Sequence, residues 1–387
     1  MAIRLKTPMK SQQQRLAVAE SYLRETVAPN ATALDRDPEV LRQALAGLGD
    51  RRLLALKVPE AWGGADPETA RQFQEMVARY SGALAFLQTQ HQSASGMLAR
   101  SDNEALKQAY LPHLASGDRL LGVGFSQLRR RGTPMVKARP VAGGFAIDGQ
   151  VPWVTGWGSF SEFIVGAELP DGRALYGVVP FADTQDNGGS VTFSEPMQLA
   201  AMQSTQTVIG QLERWFLPAA RVVFVKPAGW IHESDRHNVL HHSFFALGCA
   251  RAGLDIVESA RKKKQLPAIA AAWAALDREL NTCRSAIYQR STQNPAESTG
   301  DRQANPSPLT SLQLRAWAIA LANRCAHAAV TVSSGAANLS HHPAQRVYRE
   351  ALVFSVSGQT TAVMEATLDR AIGASEVEVA ARSHYLT

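Results

Sequence analysis

The spacing of apolar residues changes character twice along this chain, and each change narrows the folds open to it. Over residues 12–118 apolar positions recur at helical intervals: Leu16, Ala19, Tyr22, Leu23 and Val27 share a face, and Asp37-Pro38 suits the start of a helix running to Leu48. Glu104–His113 repeats the pattern. From Leu120 to Val225 the texture becomes short β-branched and aromatic runs punctuated by glycine: Leu120–Phe125, Gly144–Ile147, Phe163–Ala167, Ala174–Val179, Ser190–Phe193 and Arg221–Val225. After Pro227 alanine-rich helical spacing returns, with runs at Leu240–Ala260, Ala268–Tyr288, Leu312–Leu339 and Ala344–Ala374. The pattern predicts an α+β chain, mostly α. Its three parts are a helical domain (1–119), a small, mostly antiparallel β domain (120–226) and a bundle of four long helices (227–387). Ser291–Pro308, rich in Ser, Thr, Asn, Gly and Pro, breaks the last zone and reads as a loop between two helices.

Composition excludes several classes. The chain has 387 residues, 45% of them hydrophobic, enough for a substantial core. No stretch reaches the roughly 18–20 apolar residues of a membrane helix, and no apolar signal core follows the basic start, so a cytoplasmic location is expected. The three cysteines, Cys249, Cys283 and Cys325, have no paired spacing, and no His/Glu metal spacing occurs. Neither a disulfide framework nor a metal enzyme is expected. Net charge is +6, but the basic runs Arg129-Arg130-Arg131 and Arg261-Lys262-Lys263-Lys264 are short and carry no interleaved aromatic residues. That pattern suits a solvated face or a small polyanionic group better than a nucleic acid.

Local motifs then narrow the reading. Val58-Pro59-Glu60-Ala61-Trp62-Gly63-Gly64, Leu111-Pro112-His113-Leu114-Ala115-Ser116-Gly117-Asp118, and Gly144-Phe145-Ala146-Ile147-Asp148-Gly149-Gln150 followed by Trp153-Val154-Thr155 occur in the order of the three zones. In these stretches, and in the helix–sheet–helix order, the chain resembles the acyl-CoA dehydrogenase family along nearly its whole length. The resemblance implies FAD as cofactor, an acyl-CoA or carrier-bound acyl substrate, a flavoprotein electron acceptor, and a homodimer or homotetramer. It implies that Trp153 and Thr155 lie against the flavin ring. Ser126, in Phe125-Ser126-Gln127-Leu128, keeps the hydroxyl of a further flavin contact, and the other reading of Trp153 is an ordinary core tryptophan.

Departures from the family pattern are as informative. Arg129-Arg130-Arg131-Gly132-Thr133 replaces a glycine-rich loop, and guanidinium forks suit phosphate oxygens. Met202 stands near the place of a family arginine. At the expected diphosphate contacts, Arg261 and Gly335 remain, while a Phe-Gly pair and a glutamine are missing. Counting forward from Gly335, Arg349-Glu350 takes the place of an Arg-Asp pair, Gly358 that of the glutamate that removes the α-proton, and Thr360 that of the threonine after it. Glycine offers no proton acceptor.

A minority branch of the family supplies the base from the first C-terminal helix, and that alignment puts His241 at the base position, followed by His242. A neutral imidazole is a reasonable base near pH 7. The alternative is that both histidines only flank a helix start, after Asp235 and Asn238. The reading is a flavin-dependent α,β-dehydrogenation of an acyl thioester. A flavin monooxygenase on the same scaffold and a non-catalytic binding protein stay open beside it.

Overall fold

The computed structural model describes residues 11–186, 188–292 and 309–373. It divides into two compact units, Met1–Glu233 and Ser234–Thr387. The loop expected at Ser291–Pro308 lies, from residue 293 on, outside the described residues.

In the first unit, six helices precede the sheet: α1 (Gln12–Tyr22), α2 (Ala31–Leu34), α3 (Pro38–Asp50), α4 (Pro67–Tyr80), α5 (Gly82–Ala99) and α6 (Glu104–Leu114). The start of α3 follows the sequence signal. Asp37 accepts hydrogen bonds from the Glu39 and Val40 backbone N–H groups at 2.8 and 3.4 Å, and Pro38 occupies the first turn, where its missing N–H costs nothing. The Trp62-Gly63-Gly64 turn is equally determined. A Cβ on Gly64 would lie 1.6 Å from the Val58 carbonyl oxygen, and Arg15 donates to the Gly63 and Gly64 carbonyls at 2.7 and 2.9 Å.

Nine strands form one sheet: β1 (Leu121–Gly124), β2 (Val136–Val141), β3 (Gly144–Thr155), β4 (Glu162–Glu168), β5 (Ala174–Pro180), β6 (Thr184–Asp186), β7 (Gly189–Phe193), β8 (Thr207–Pro218) and β9 (Val222–Lys226). Their order is β6-β7-β8-β3-β2-β4-β5-β9, with β1 paired to β4. The pairings are antiparallel except β1 with β4 and the single step Lys137–Glu168 between β2 and β4. Strands β2, β6 and β8 escape the sequence reading. In β3, Val151 pairs with Gly210 of β8 and Val154 with Val208, so one extra residue bulges from β3. Helices α5 and α6 cover the sheet through Leu98, Leu111 and Leu114, packed with Leu121, Ile164, Tyr176 and Phe224. Tyr110 donates to Glu162 at 2.9 Å, and Glu162 pairs with Arg221.

Helix α7 (Trp230–His237) carries the division between the units. The second unit then holds α8 (Ser243–Lys264), α9 (Pro267–Thr292), α10 (Ser311–Ser333), α11 (Pro343–Val356) and α12 (Thr361–Ala371). Of the four expected helical runs, Ala268–Tyr288 lies wholly within α9, whereas Leu240–Ala260 opens in a 3₁₀ turn (Val239–His242) before α8 and Leu312–Leu339 runs into another (Ser334–Asn338) after α10. The last, Ala344–Ala374, divides at Gly358, whose φ of 60° suits glycine, and restarts where Thr360 caps α12 by accepting from Val363 N–H at 3.3 Å. Its final residue lies outside the described residues. Against α8, α10 packs so closely that a Cβ on Gly253 would stand 2.7 Å from the Cys325 backbone. All three cysteines are free and buried. Inside α11 the buried Arg346 and Glu350 pair at 2.6 Å, whereas Arg349 donates to Gln345.

Candidate active site

The residues expected to touch flavin lie in the first unit. Ser126 opens a 3₁₀ turn (Ser126–Arg129) that packs against β3, and it is exposed. On β3 the bulge turns Trp153 outward, leaving it 48% exposed, between Pro152 and Val154, which are buried. Thr155, two residues on, is buried, and its hydroxyl lies 3.0 Å from that of Thr207 on β8. Beside Ser126, Gln127 is buried, donates to the Gly166 carbonyl at 2.8 Å, and has a side-chain oxygen with no hydrogen-bond partner among the described residues. An exposed indole face, an exposed hydroxyl and an unsatisfied buried acceptor fit the edge of a flat aromatic cofactor with N–H groups.

The three arginines that close and follow this turn differ in their surroundings. Arg129 stacks over Phe125 at 5.7 Å, Arg130 donates to the Met135 sulfur at 3.2 Å, and Arg131 is exposed. Met202, which the sequence reading sets near the place of an arginine, is buried in a left-handed turn. Its backbone N–H donates to Asp35 at 2.7 Å, which ties that loop to the end of α2.

In the second unit, a 3₁₀ segment (Val239–His242) leads into α8, so His241 and His242 stand just ahead of the helix. Both are half-buried, with ring centroids 6.0 Å apart. His242 rests near Phe245, which stacks on Phe354 of α11 at 5.0 Å and nearly parallel. Its Nδ1 lies 3.0 Å from Ser357 Oγ. The ring fills the space beside Gly358, since a Cβ there would stand 2.4 Å from His242 Nε2. The space beside position 358, where the sequence reading expects a glutamate to be missing, is therefore occupied by an imidazole from another element.

Arg315 of α10 locks this arrangement. It is buried and donates to the carbonyls of Val239 at 3.0 Å, Ser357 at 2.7 Å and Gly358 at 2.9 Å. One guanidinium thus joins the segment carrying His242 to the turn carrying Gly358. Burial lowers its pKa to about 10, with Asp235 opposing the shift, so it remains charged at neutral pH. Sequence reasoning missed it; the available signal was a lone arginine within the apolar run Leu312–Leu321.

The remaining expected contacts are dispersed. Arg261, near the end of α8, is held by Glu258 at 2.5 and 2.8 Å and lies over Trp273. That hydrogen bond is the main reason the Glu258 carboxyl falls to about 2. Arg261 also lines an open depression with Gln265, Leu266 and Pro267. Gly335 sits in a 3₁₀ segment (Ser334–Asn338) after α10, exposed, with nothing within 4 Å of where a Cβ would be. Among the described residues no cluster of three His, Cys, Asp or Glu side chains suits a metal ion, and no helix is long and apolar enough to cross a membrane.

Comparison with known proteins matches both ends of the chain to one family. The model of the acyl-CoA dehydrogenase N-terminal domain matches residues 9–118, and that of the C-terminal domain matches residues 236–373. Together they take in more than half the chain. An acyl-CoA dehydrogenase of Bacillus subtilis is 22% identical over 91% of this chain and 95% of its own length. A mitochondrial isovaleryl-CoA dehydrogenase of rice (Oryza sativa subsp. japonica) is 26% identical over 55% of this chain and 54% of its own. Among solved structures, butyryl-CoA dehydrogenase from Megasphaera elsdenii shares the fold with a TM-score of 0.75 and 17% identity, covering 95% of this chain and all of that one.

Proposed function

Since the chain belongs to the acyl-CoA dehydrogenase family, we propose that it is a flavin-dependent oxidoreductase that removes hydrogen across the α,β-bond of an acyl thioester. The observation carrying this reading is that the family's N- and C-terminal models match the two helical portions, on either side of the sheet that presents Trp153. In this reading residues 1–119, 120–226 and 227–387 act as three parts. The cytoplasm is the proposed location.

Bound FAD would supply the acceptor for a hydride leaving the β-carbon. The chain's own residues do the rest. Trp153 offers its exposed face to the ring, Ser126 its exposed hydroxyl, and Thr155, fixed by Thr207, holds the strand end in place. Arg261, Gly335 and Thr360 are the proposed contacts of the remaining cofactor. A diphosphate at Arg261 would compete with Glu258, so cofactor affinity depends on that exchange. Gly358 cannot act as base, and the α-proton goes to the histidine pair ahead of α8. Electrons would pass onward to a flavoprotein acceptor.

A homo-oligomer is proposed with this function. Tyr348, Leu352 and Val356 on α11, and Met364 and Leu368 on α12 with Ile372 at its C-terminal cap, form two exposed apolar rows at four-residue spacing.

The test is spectroscopic. Purified protein mixed with excess FAD and freed of unbound cofactor should keep a flavin spectrum that bleaches anaerobically with at least one of a panel of straight- and branched-chain acyl-CoA thioesters. Failure to retain flavin would refute the reading.

A further inference from the structure

Two adjacent histidines compete for the role of base, and the structure separates them. Alignment favours His241. The ring that lies against the turn at position 358 belongs to His242. Its Nε2 stands 2.4 Å from the point where a side chain at 358 would begin, so the imidazole enters the volume that a glutamate there would use. Its Nδ1 is 3.0 Å from Ser357 Oγ, its ring lies 5.6 Å from that of Phe245, and Arg315 fixes both backbone segments that bring ring and turn together. Elements separated by 115 residues are thereby held at hydrogen-bond distance.

We propose that His242 is the catalytic base, standing in for the absent glutamate, and that Ser357 is its positioning residue. The proposal rests on the dehydrogenation reading above. With the Nδ1 proton donated to Ser357 Oγ, Nε2 carries the lone pair. The α-carbon C–H bond breaks, its proton forms a bond to Nε2, and its electron pair passes into the thioester as an enolate. The products of this half-reaction are an imidazolium and an enolate; no oxidant enters the balance. Gly358 has a second reason to be glycine: any side chain there would displace the ring, and its φ of 60° is left-handed.

The proton step can be read apart from flavin reduction. Full-length protein with FAD is incubated anaerobically in D2O with the acyl-CoA panel, without electron acceptor, and α-deuterium in recovered thioester is measured by mass spectrometry beside flavin bleaching. His242→Asn should lose exchange by about 100-fold or more while retaining its flavin spectrum. Ser357→Ala should lower the exchange rate at saturating substrate, and Ser357→Thr should restore it. Because His242→Asn could unsettle the turn, the double variant His242→Ala/Gly358→Glu provides a second arm. Removing the ring clears the space for a carboxylate, so the double variant should regain exchange that His242→Ala lacks, and Gly358→Glu alone should not support it. Exchange kept in His242→Asn but lost in His241→Asn would overturn the assignment. Should the unaltered protein neither exchange nor bleach with any thioester, the dehydrogenation reading falls and takes the assignment with it, a result distinct from exchange that persists without His242.

Discussion

His91 sets a pH limit on the first unit. It is fully buried in α5, its Nε2 lies 3.0 Å from the Leu114 carbonyl, and its Nδ1 accepts from the Leu121 backbone N–H at 3.1 Å. Only the neutral ring with hydrogen on Nε2 satisfies both contacts, because the donated Leu121 N–H needs a lone pair on Nδ1. Burial lowers the pKa from 6.5 to about 4, with the contact to Leu114 opposing it. A histidine lowered in the folded state contributes stability that is complete above the unfolded pKa and drains away as pH falls toward the folded one. Here the window runs from pH 6.5 to about 4. Linkage gives a loss of ~2 kcal/mol between pH 7 and 5, approaching ~3 kcal/mol at lower pH. Carboxylates that titrate nearby in pH are common to wild type and variant, so the measurement is a difference. Urea unfolding of the wild type and of His91→Gln, whose amide can both donate and accept, would be followed at pH 7 and pH 5. The variant is expected to be less stable at pH 7 and to lose less on acidification, the gap closing by ~2 kcal/mol. Parallel pH dependences within ~0.5 kcal/mol would refute the argument, since independent effects add within about that margin.

Other expectations follow from features with different physical causes. Trp153→Ala should release flavin without a loss of thermal stability beyond ~0.5 kcal/mol, because the indole is half exposed; flavin absorbance and a melting curve on one sample check both. Glu350→Ala should cost about 3–5 kcal/mol in urea unfolding, because it leaves Arg346 buried without its carboxylate, while replacing both residues by apolar ones of similar volume should recover much of that loss. Leu352→Glu combined with Leu368→Glu should lower the mass seen by light scattering to that of one chain, since charges would then interrupt both exposed apolar rows. An unchanged mass would remove these rows from any interface.

Much of the architecture was legible because period 3.6 and period 2 differ plainly over long stretches. The Asp37-Pro38 start, the Trp62-Gly63-Gly64 turn and the helical runs of the second unit depend on local chemistry, which neighbouring residues carry in full. Strand β8 was hidden because Gly210, Gln211, Glu213 and Arg214 interrupt its apolar alternation, and only pairing with β3 and β7 on its two sides makes it a strand. In β2, Lys137 and Arg139 alternate with buried Val136 and Ala138, a pattern too short and too charged to stand out. That Gly358 stands where a glutamate is expected is a reading of position alone. What fills the space beside it was not legible, because His242, Arg315 and Ser357 lie far apart in sequence and meet only through tertiary packing.

The extra residue in β3 deserves a last consequence, one that concerns heredity more than chemistry. Along a strand, sidedness is a parity count, and the bulge between Val151 and Val154 resets that count just before the strand ends. Losing one codon at Pro152 would restore an even count against β8. Trp153 and Thr155, two residues apart, share one parity, so both would change face together relative to the strand before the bulge, with every amino acid of the Trp-x-Thr signature still present. A comparison of relatives by motif would score such a chain as intact. Gaps in this stretch therefore carry more information than substitutions, and a length change of one residue is the event most able to silence the face that Trp153 now presents.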